Sequence, residues 1–178
     1  MRQALIIVDM QQGSFGHATP RHDAEGLVKR LNRLAQRVRC AGGLVVFVQH
    51  AGADGDPHHL TRPGHALLSA LEVRSEDLRV RKTACDAFLG TALEAELRAR
   101  GLDGVIVTGC ATDYCVDTTV RGALARGFGT TAPSDGHTTS DRPHLPAHKI
   151  IQHHNAIWAD FMSPAGSARV CPCEEVPL

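Results

Sequence analysis

The chain has 178 residues, 43% of them hydrophobic, enough for a single domain over residues 1–178 that buries roughly 70% of its extended-chain surface. Nineteen Lys and Arg balance nineteen Asp and Glu, which leaves no basic stripe for nucleic acid and no polybasic segment for an anionic membrane.

At the N-terminus, "ALIIV" is only five consecutive apolar residues before Asp9, short of the ~7 of a signal-peptide core and the ~20 of a membrane span. A cytoplasmic protein is expected. Six cysteines are scattered at positions 40, 85, 110, 115, 171 and 173, a distribution that suits reduced thiols better than a disulfide framework.

After "ALIIVD" comes a repeated phrase in which a helix-like stretch ends in glycine and an apolar run follows: "LNRLAQRVRCAGG" then "LVVFVQ", "LEAELRARGLDG" then "VIVTG", "TTVRGALARG" then "FGTTAP". Leu27, Leu31, Leu34 and Val38 keep helical spacing, as do Leu89, Leu93 and Leu97, and glycine just past such a stretch closes a helix. The apolar runs are continuous, as in strands covered on both faces. The pattern predicts an α/β fold with a mostly parallel sheet. From Ala51 to about Glu76 it breaks in a long excursion containing "AGADGDPHHLTRPGH", of the length that usually serves function. "DLRVRK" is a third strand, "HLPAHKIIQHHNAIWADF" a last helix, and "ARVCPCEEV" a closing strand or edge segment. Ile150, Ile151, Ile157, Trp158 and Phe161 exceed what one helix face needs, which points to a homo-oligomer, dimer or tetramer.

Ligands in open α/β sheets bind beyond the carboxyl ends of the strands. Three residues there carry chemistry: Asp9 after "ALIIV", Lys82 after "LRVR", and Cys115 a short loop beyond "VIVTG" at the first turn of the next helix. Each has an ordinary reading alone, as a turn residue, a surface charge and a buried thiol. Together they make a set for covalent acyl transfer, with Lys82 and the helix N-terminus favouring the thiolate and Asp9 taking and returning a proton.

"LIIVDMQ", "RKTACDAF" and above all "VTGCATDYCVDTTVRGALARGF" resemble the isochorismatase-like cysteine hydrolases, a group containing nicotinamidases and N-carbamoylsarcosine amidohydrolase. The resemblance implies a three-layer, Rossmann-like fold with a six-stranded parallel sheet, and Asp9, Lys82 and Cys115 in the places of the catalytic triad. It also implies a cis peptide at Cys110–Ala111, with the amides of Ala111 and Cys115 forming an oxyanion hole and Thr112 and Asp113 capping the helix. The expected activity is hydrolysis of a C–N bond in a small amide, lactam or carbamoyl compound through a thioester. Phe15, His50, Phe88 and Tyr114 are candidates to line the crevice.

Nicotinamidases of this group carry Asp-x-His and a later His that bind a metal, in a segment where this chain has His50, Asp56-Pro57-His58, His59 and His65 without the expected spacing. These histidines are taken as structural or solvated, and no metal or cofactor is expected. Two other readings are a thiol redox module using Cys110 and Cys115, whose C-x4-C spacing differs from C-x-x-C, and a zinc-binding scaffold built on His137, His144, His148, His153, His154 and "CPC".

Overall fold

The computed structural model describes residues 3–15 and 20–178. Strands β1 (Gln3–Val8), β2 (Leu44–His50), β3 (Leu78–Lys82), β4 (Gly104–Cys110), β5 (Gly129–Pro133), β6 (His137–Thr138) and β7 (Arg169–Cys171) form one sheet in the order β3-β2-β1-β4-β5-β7, with β6 beside β4. Every strand pairing is parallel. The helices are α1 (Gln12–Phe15), α2 (Ala24–Cys40), α3 (Leu93–Ala99), α4 (Asp117–Ala125) and α5 (Ala147–Ala159). The six strands expected from the apolar runs are all present. The two-residue β6 is too short to leave a periodic signal.

Why the strand sequences are apolar on every residue is visible in how the layers divide them. In β1, Ala4, Ile6 and Val8 face a core with Leu93 and Leu97 of α3, Val120 and Leu124 of α4 and Trp158 of α5. Leu5 and Ile7 face the opposite core with Leu27, Leu31, Leu34 and Val38 of α2. Side chains alternate across a strand, so a strand buried on both sides needs apolar residues at both phases. The sheet is thus the middle of three layers.

Two helix readings change. Leu89 is outside α3 and 58% exposed. The hydroxyl of Thr91 donates to the Ala87 carbonyl at 2.7 Å and accepts the Leu93 amide at 3.2 Å, starting the helix there. The apolar tail is mostly absorbed within the chain: Ile150 and Trp158 are buried, Ile151 and Phe161 half-buried, and Arg121 lies over the Phe161 ring at 4.8 Å. Ile157 and Met162 remain exposed. Among the described residues, no helix is long and apolar enough to cross a membrane.

The chain runs from β1 to β2 and β3 on one side, then crosses to β4 on the other, so the β1–β4 boundary is the switch point where such sheets leave a crevice. Gly109 lets these two strands meet at their ends. Its φ is +114°, and a Cβ there would lie 2.1 Å from the carbonyl oxygen of Val8, its partner in register, a clash with backbone that no side-chain rotation relieves. Gly109→Ala is therefore expected to lower the unfolding free energy by at least about 2 kcal/mol. Urea titration checks this, and an unchanged midpoint would contradict the close approach.

Candidate active site

Asp9, the first residue beyond β1, has a left-handed backbone (φ 49°) and donates its amide to the Val48 carbonyl at 2.9 Å. This turn ends the strand and sends the carboxylate to the end of the sheet. Aspartate is among the few non-glycine residues that adopt this conformation readily. Lys82 ends β3, two strands away, in register with His50 of β2. Its long stem spans the end of β2, placing Nζ 2.7 Å from Asp9 Oδ2, 3.2 Å from Cys115 Sγ and 3.0 Å from the Ala84 carbonyl. The three residues singled out in the sequence thus meet. Cys110–Ala111 is a cis peptide.

The Lys82 side chain is fully shielded from solvent and that of Asp9 is 7% exposed. Burial alone would pull the ammonium down, but Asp9 and the thiol outweigh it and hold Lys82 above its ordinary pKa. Cys115 departs from the sequence expectation of a favoured thiolate. Burial first, and then the negative charge of Asp9, raise it, and Lys82 offsets only part of that. These influences favour the protonated thiol. Asp9 Oδ1 is buried with no hydrogen-bond partner among the described residues, leaving an acceptor free beside it.

Cys115 also differs in its local frame. It lies in a π-helical turn, Thr112–Val116, that precedes α4, where the Val116 amide reaches the Ala111 carbonyl at 3.1 Å. Such turns recur at functional sites. Thr112 and Asp113 make no cap hydrogen bond; they bind neighbouring segments instead. Thr112 Oγ1 is 2.9 Å from Nδ1 of buried His137, whose Nε2 is 3.0 Å from Asn155 Oδ1. Burial lowers His137 to about 4, so it is neutral and structural. Asp113 accepts from Thr139 Oγ1 at 2.6 Å and from Arg142 at 2.8 and 3.1 Å. Burial alone would raise its carboxyl, and these donors outweigh that and lower it.

A crevice of about 220 Å³ opens over the thiol, lined by Asp9, Ser14, Arg21, His50, His58, Cys85, Cys110, Ala111, Tyr114 and Cys115. His50 and Tyr114 are where the sequence suggested. Phe15 and Phe88 are not. Phe15 borders a surface hollow with Val28 and Leu68. Phe88 is buried in the core, stacked on Phe128 at 5.7 Å, because the Ala87 amide bonds Thr119 Oγ1 of α4 and turns this segment inward. Ser14, Arg21 and Cys85 are not singled out as site residues in the sequence, since none ends an apolar run, and His58, weighed there only as a metal ligand, joins them in the lining.

The histidine-rich excursion is held by buried glutamines. Gln11 donates to the carbonyls of His50 and His65 at 3.1 and 2.9 Å and accepts the His50 amide at 2.8 Å, and Gln49 donates to the His65 carbonyl at 2.8 Å. Asp56 and His58 do not fit the nicotinamidase metal set. Asp56 Oδ1 takes the His58 amide at 2.7 Å and lies 2.9 Å from its Nδ1, while His58 Nε2 is 2.9 Å from Ser14 Oγ. Both ring nitrogens are engaged. Among the described residues, no group of three or more His, Cys, Asp or Glu is placed to hold a metal ion. Cys110 packs in the α2-side core with its thiol pushed up to about 12 by burial, a poor source of thiolate for exchange with Cys115.

The causes of the Cys115 shift fix the sign of a test. Asp9→Asn removes the charge that raises the thiol, so its pKa should fall and iodoacetamide should label Cys115 faster at neutral pH. Lys82→Met should do the reverse. Alkylation rates followed by mass spectrometry across pH 6 to 10, roughly bracketing the thiol range, check both directions, and parallel profiles for all three proteins would contradict the electrostatic coupling.

Comparison with known proteins places the chain in a family. The chain is 37% identical over 144 residues to a streptothricin hydrolase of Streptomyces noursei, covering 81% of this chain and 52% of that protein. It is 30% identical over 157 residues to a ureidoacrylate amidohydrolase of Variovorax paradoxus, covering 68% and 62%. The chain thus spans about half the length of the first of these relatives. A solved cysteine hydrolase from Pseudomonas syringae superposes with a TM-score of 0.88 at 25% identity, covering 98% of this chain and 90% of that one. With residues 3–160 also matching the isochorismatase domain model, the chain belongs to the isochorismatase-like hydrolase family.

Proposed function

We propose that this chain is a cysteine-dependent amidohydrolase that cleaves a C–N bond of a small molecule through a thioester. The observation that carries the reading is the position of Lys82 Nζ, 2.7 Å from Asp9 and 3.2 Å from Cys115, two residues that line the crevice. The relative named as a ureidoacrylate amidohydrolase supports an amide-type bond.

The neutral thiol defines the order of events. As Sγ attacks the substrate carbonyl carbon, its proton passes to Asp9 Oδ1 and the carbonyl π electrons move to oxygen. The amides of Ala111 and Cys115 are the proposed donors to that oxyanion. When the oxyanion collapses, the C–N bond breaks and the nitrogen leaves with the proton from Asp9. Asp9 is then free to take a proton from water, whose oxygen attacks the thioester carbon and releases the acid. The proton returns to sulfur. Lys82 stays charged throughout, stabilising the Asp9 carboxylate and the departing thiolate. No step uses a metal.

Asp9→Asn preserves shape and removes the proton acceptor, so kcat/KM on a responsive amide, urea or lactam should fall by at least about 10²-fold, the usual cost of losing a general base. Cys115→Ala should abolish turnover, and a rapidly quenched wild-type reaction should show the acyl mass on the peptide containing Cys115. An Asp9→Asn enzyme of normal activity would end the proposed role. Exhaustive dialysis against a chelator should leave the rate unchanged, and a loss restored by zinc would contradict the metal-free route.

A further inference from the structure

We propose that Ser14 is a second nucleophile in the crevice, activated by His58 and Asp56 and able to take the acyl group of a small ester independently of Cys115. Three side chains are joined end to end. Ser14 Oγ lies 2.9 Å from His58 Nε2, and His58 Nδ1 lies 2.9 Å from Asp56 Oδ1. The His58 amide first, and then its ring, hold the Asp56 carboxyl below its ordinary pKa, so at neutral pH it is a carboxylate that can only accept. Nδ1 therefore carries the proton between them. In the neutral ring Nε2 then has none, and the Ser14 hydroxyl donates to it. A hydroxyl bonded to a base that a third group orients is the arrangement that activates a serine, whatever its order in the chain. Ser14 and His58 both line the crevice.

Each member is held in place. Ser14 donates its amide to the Gln11 carbonyl at 3.0 Å, and its carbonyl accepts from Arg21 Nε at 2.9 Å. The His58 ring packs against Gly13, where a Cβ would come within 3.1 Å of Nε2, and meets the His50 ring edge-on at 5.9 Å. The His58 amide donates to Asp56 Oδ1 at 2.7 Å. As Oγ attacks an ester carbonyl carbon, its proton passes to His58 Nε2 and the π electrons move to oxygen. Their return breaks the C–O bond, and the alcohol leaves with the proton from His58. Water then gives a proton to the same ring as its oxygen attacks the acyl carbon. The acid is released and the proton returns to Oγ. The crevice volume of about 220 Å³ lies below the ~300 Å³ lower end of pockets for drug-sized molecules, which suits a short acyl group. The relay activates the attacker without itself supplying a donor to the oxyanion. The substrate class is therefore esters of acidic alcohols such as phenols, whose leaving groups need little help.

The probe is p-nitrophenyl acetate, and every arm uses the Cys115→Ala protein, so the outcome does not depend on the cysteine reading. Rapid acid quench followed by peptide mass spectrometry should place the acetyl group on Ser14. Ser14→Ala or His58→Gln, added to Cys115→Ala, should slow p-nitrophenolate release by at least about tenfold, a modest share of what general base catalysis contributes. Asp56 positions the ring, so Asp56→Asn should slow release as well, and Asp56→Glu should restore part of the rate. An acetyl group absent from Ser14, or a rate indifferent to Ser14→Ala, would overturn the proposal. Turnover of amides by wild-type protein is read separately: acetylation of Ser14 in a protein that hydrolyses no amide would uphold the second nucleophile and count against the amidohydrolase reading.

Discussion

Lys82 ends an edge strand, yet its ammonium has no contact with solvent, and a charge in that position is stable only if another charge meets it there. Asp9 is that charge. The pairing requires β1 to stop with a left-handed residue and β2 to end where the stem of Lys82, at the end of β3, can pass. Breaking a buried pair by removing one member typically costs about 3–5 kcal/mol, so the ends of three strands are coupled through one contact. The same contact sets the chemistry. A carboxylate and an ammonium that neutralise each other leave the adjacent thiol under the control of burial, which keeps its proton in place. In the proposed mechanism, deprotonation is then tied to attack.

The turn carrying Cys115 is fastened by polar groups that never reach the crevice. Thr112 is joined through His137 to Asn155 on α5, and Asn155 in turn donates to the Ser134 carbonyl. Asp113 is clamped by Arg142 and Thr139, while Trp158 donates its indole N–H to Asp117 at 2.8 Å. A thiol carried on a turn held by buried, satisfied hydrogen bonds has little freedom to move. On the opposite side, Gln11 and Gln49 pin the irregular excursion to strand ends, so a segment without regular structure still presents a fixed wall.

The layers were legible because burial on both faces of a strand forces unbroken apolar runs, and one-sided burial of α2 forces the spacing of Leu27, Leu31, Leu34 and Val38. Asp9, Lys82 and Cys115 were legible as a set because polar residues that interrupt or follow such runs stand at strand ends. The glutamine of "LIIVDMQ" has its reason in the hydrogen bonds that Gln11 makes to His50 and His65. Leu89 misled because helical spacing persists past a helix start that Thr91 sets. Phe15 and Phe88 misled because closeness in sequence to a strand end does not say which way the following loop turns.

By itself the sequence determined the α/β order of elements, the parallel sheet and the three residues at its carboxyl edge, since these follow from periodicity and from where apolar runs stop. Tertiary structure alone decided the protonation of Cys115, the engagement of Asp56 and His58 with each other, and the presence of Ser14, Arg21, His58 and Cys85 around the crevice. The physical reason is range. Strand and helix patterns are set by neighbours a few residues apart, whereas a thiol's pKa and a crevice's lining depend on burial and on charges brought together from residues 9 to 115 by the fold.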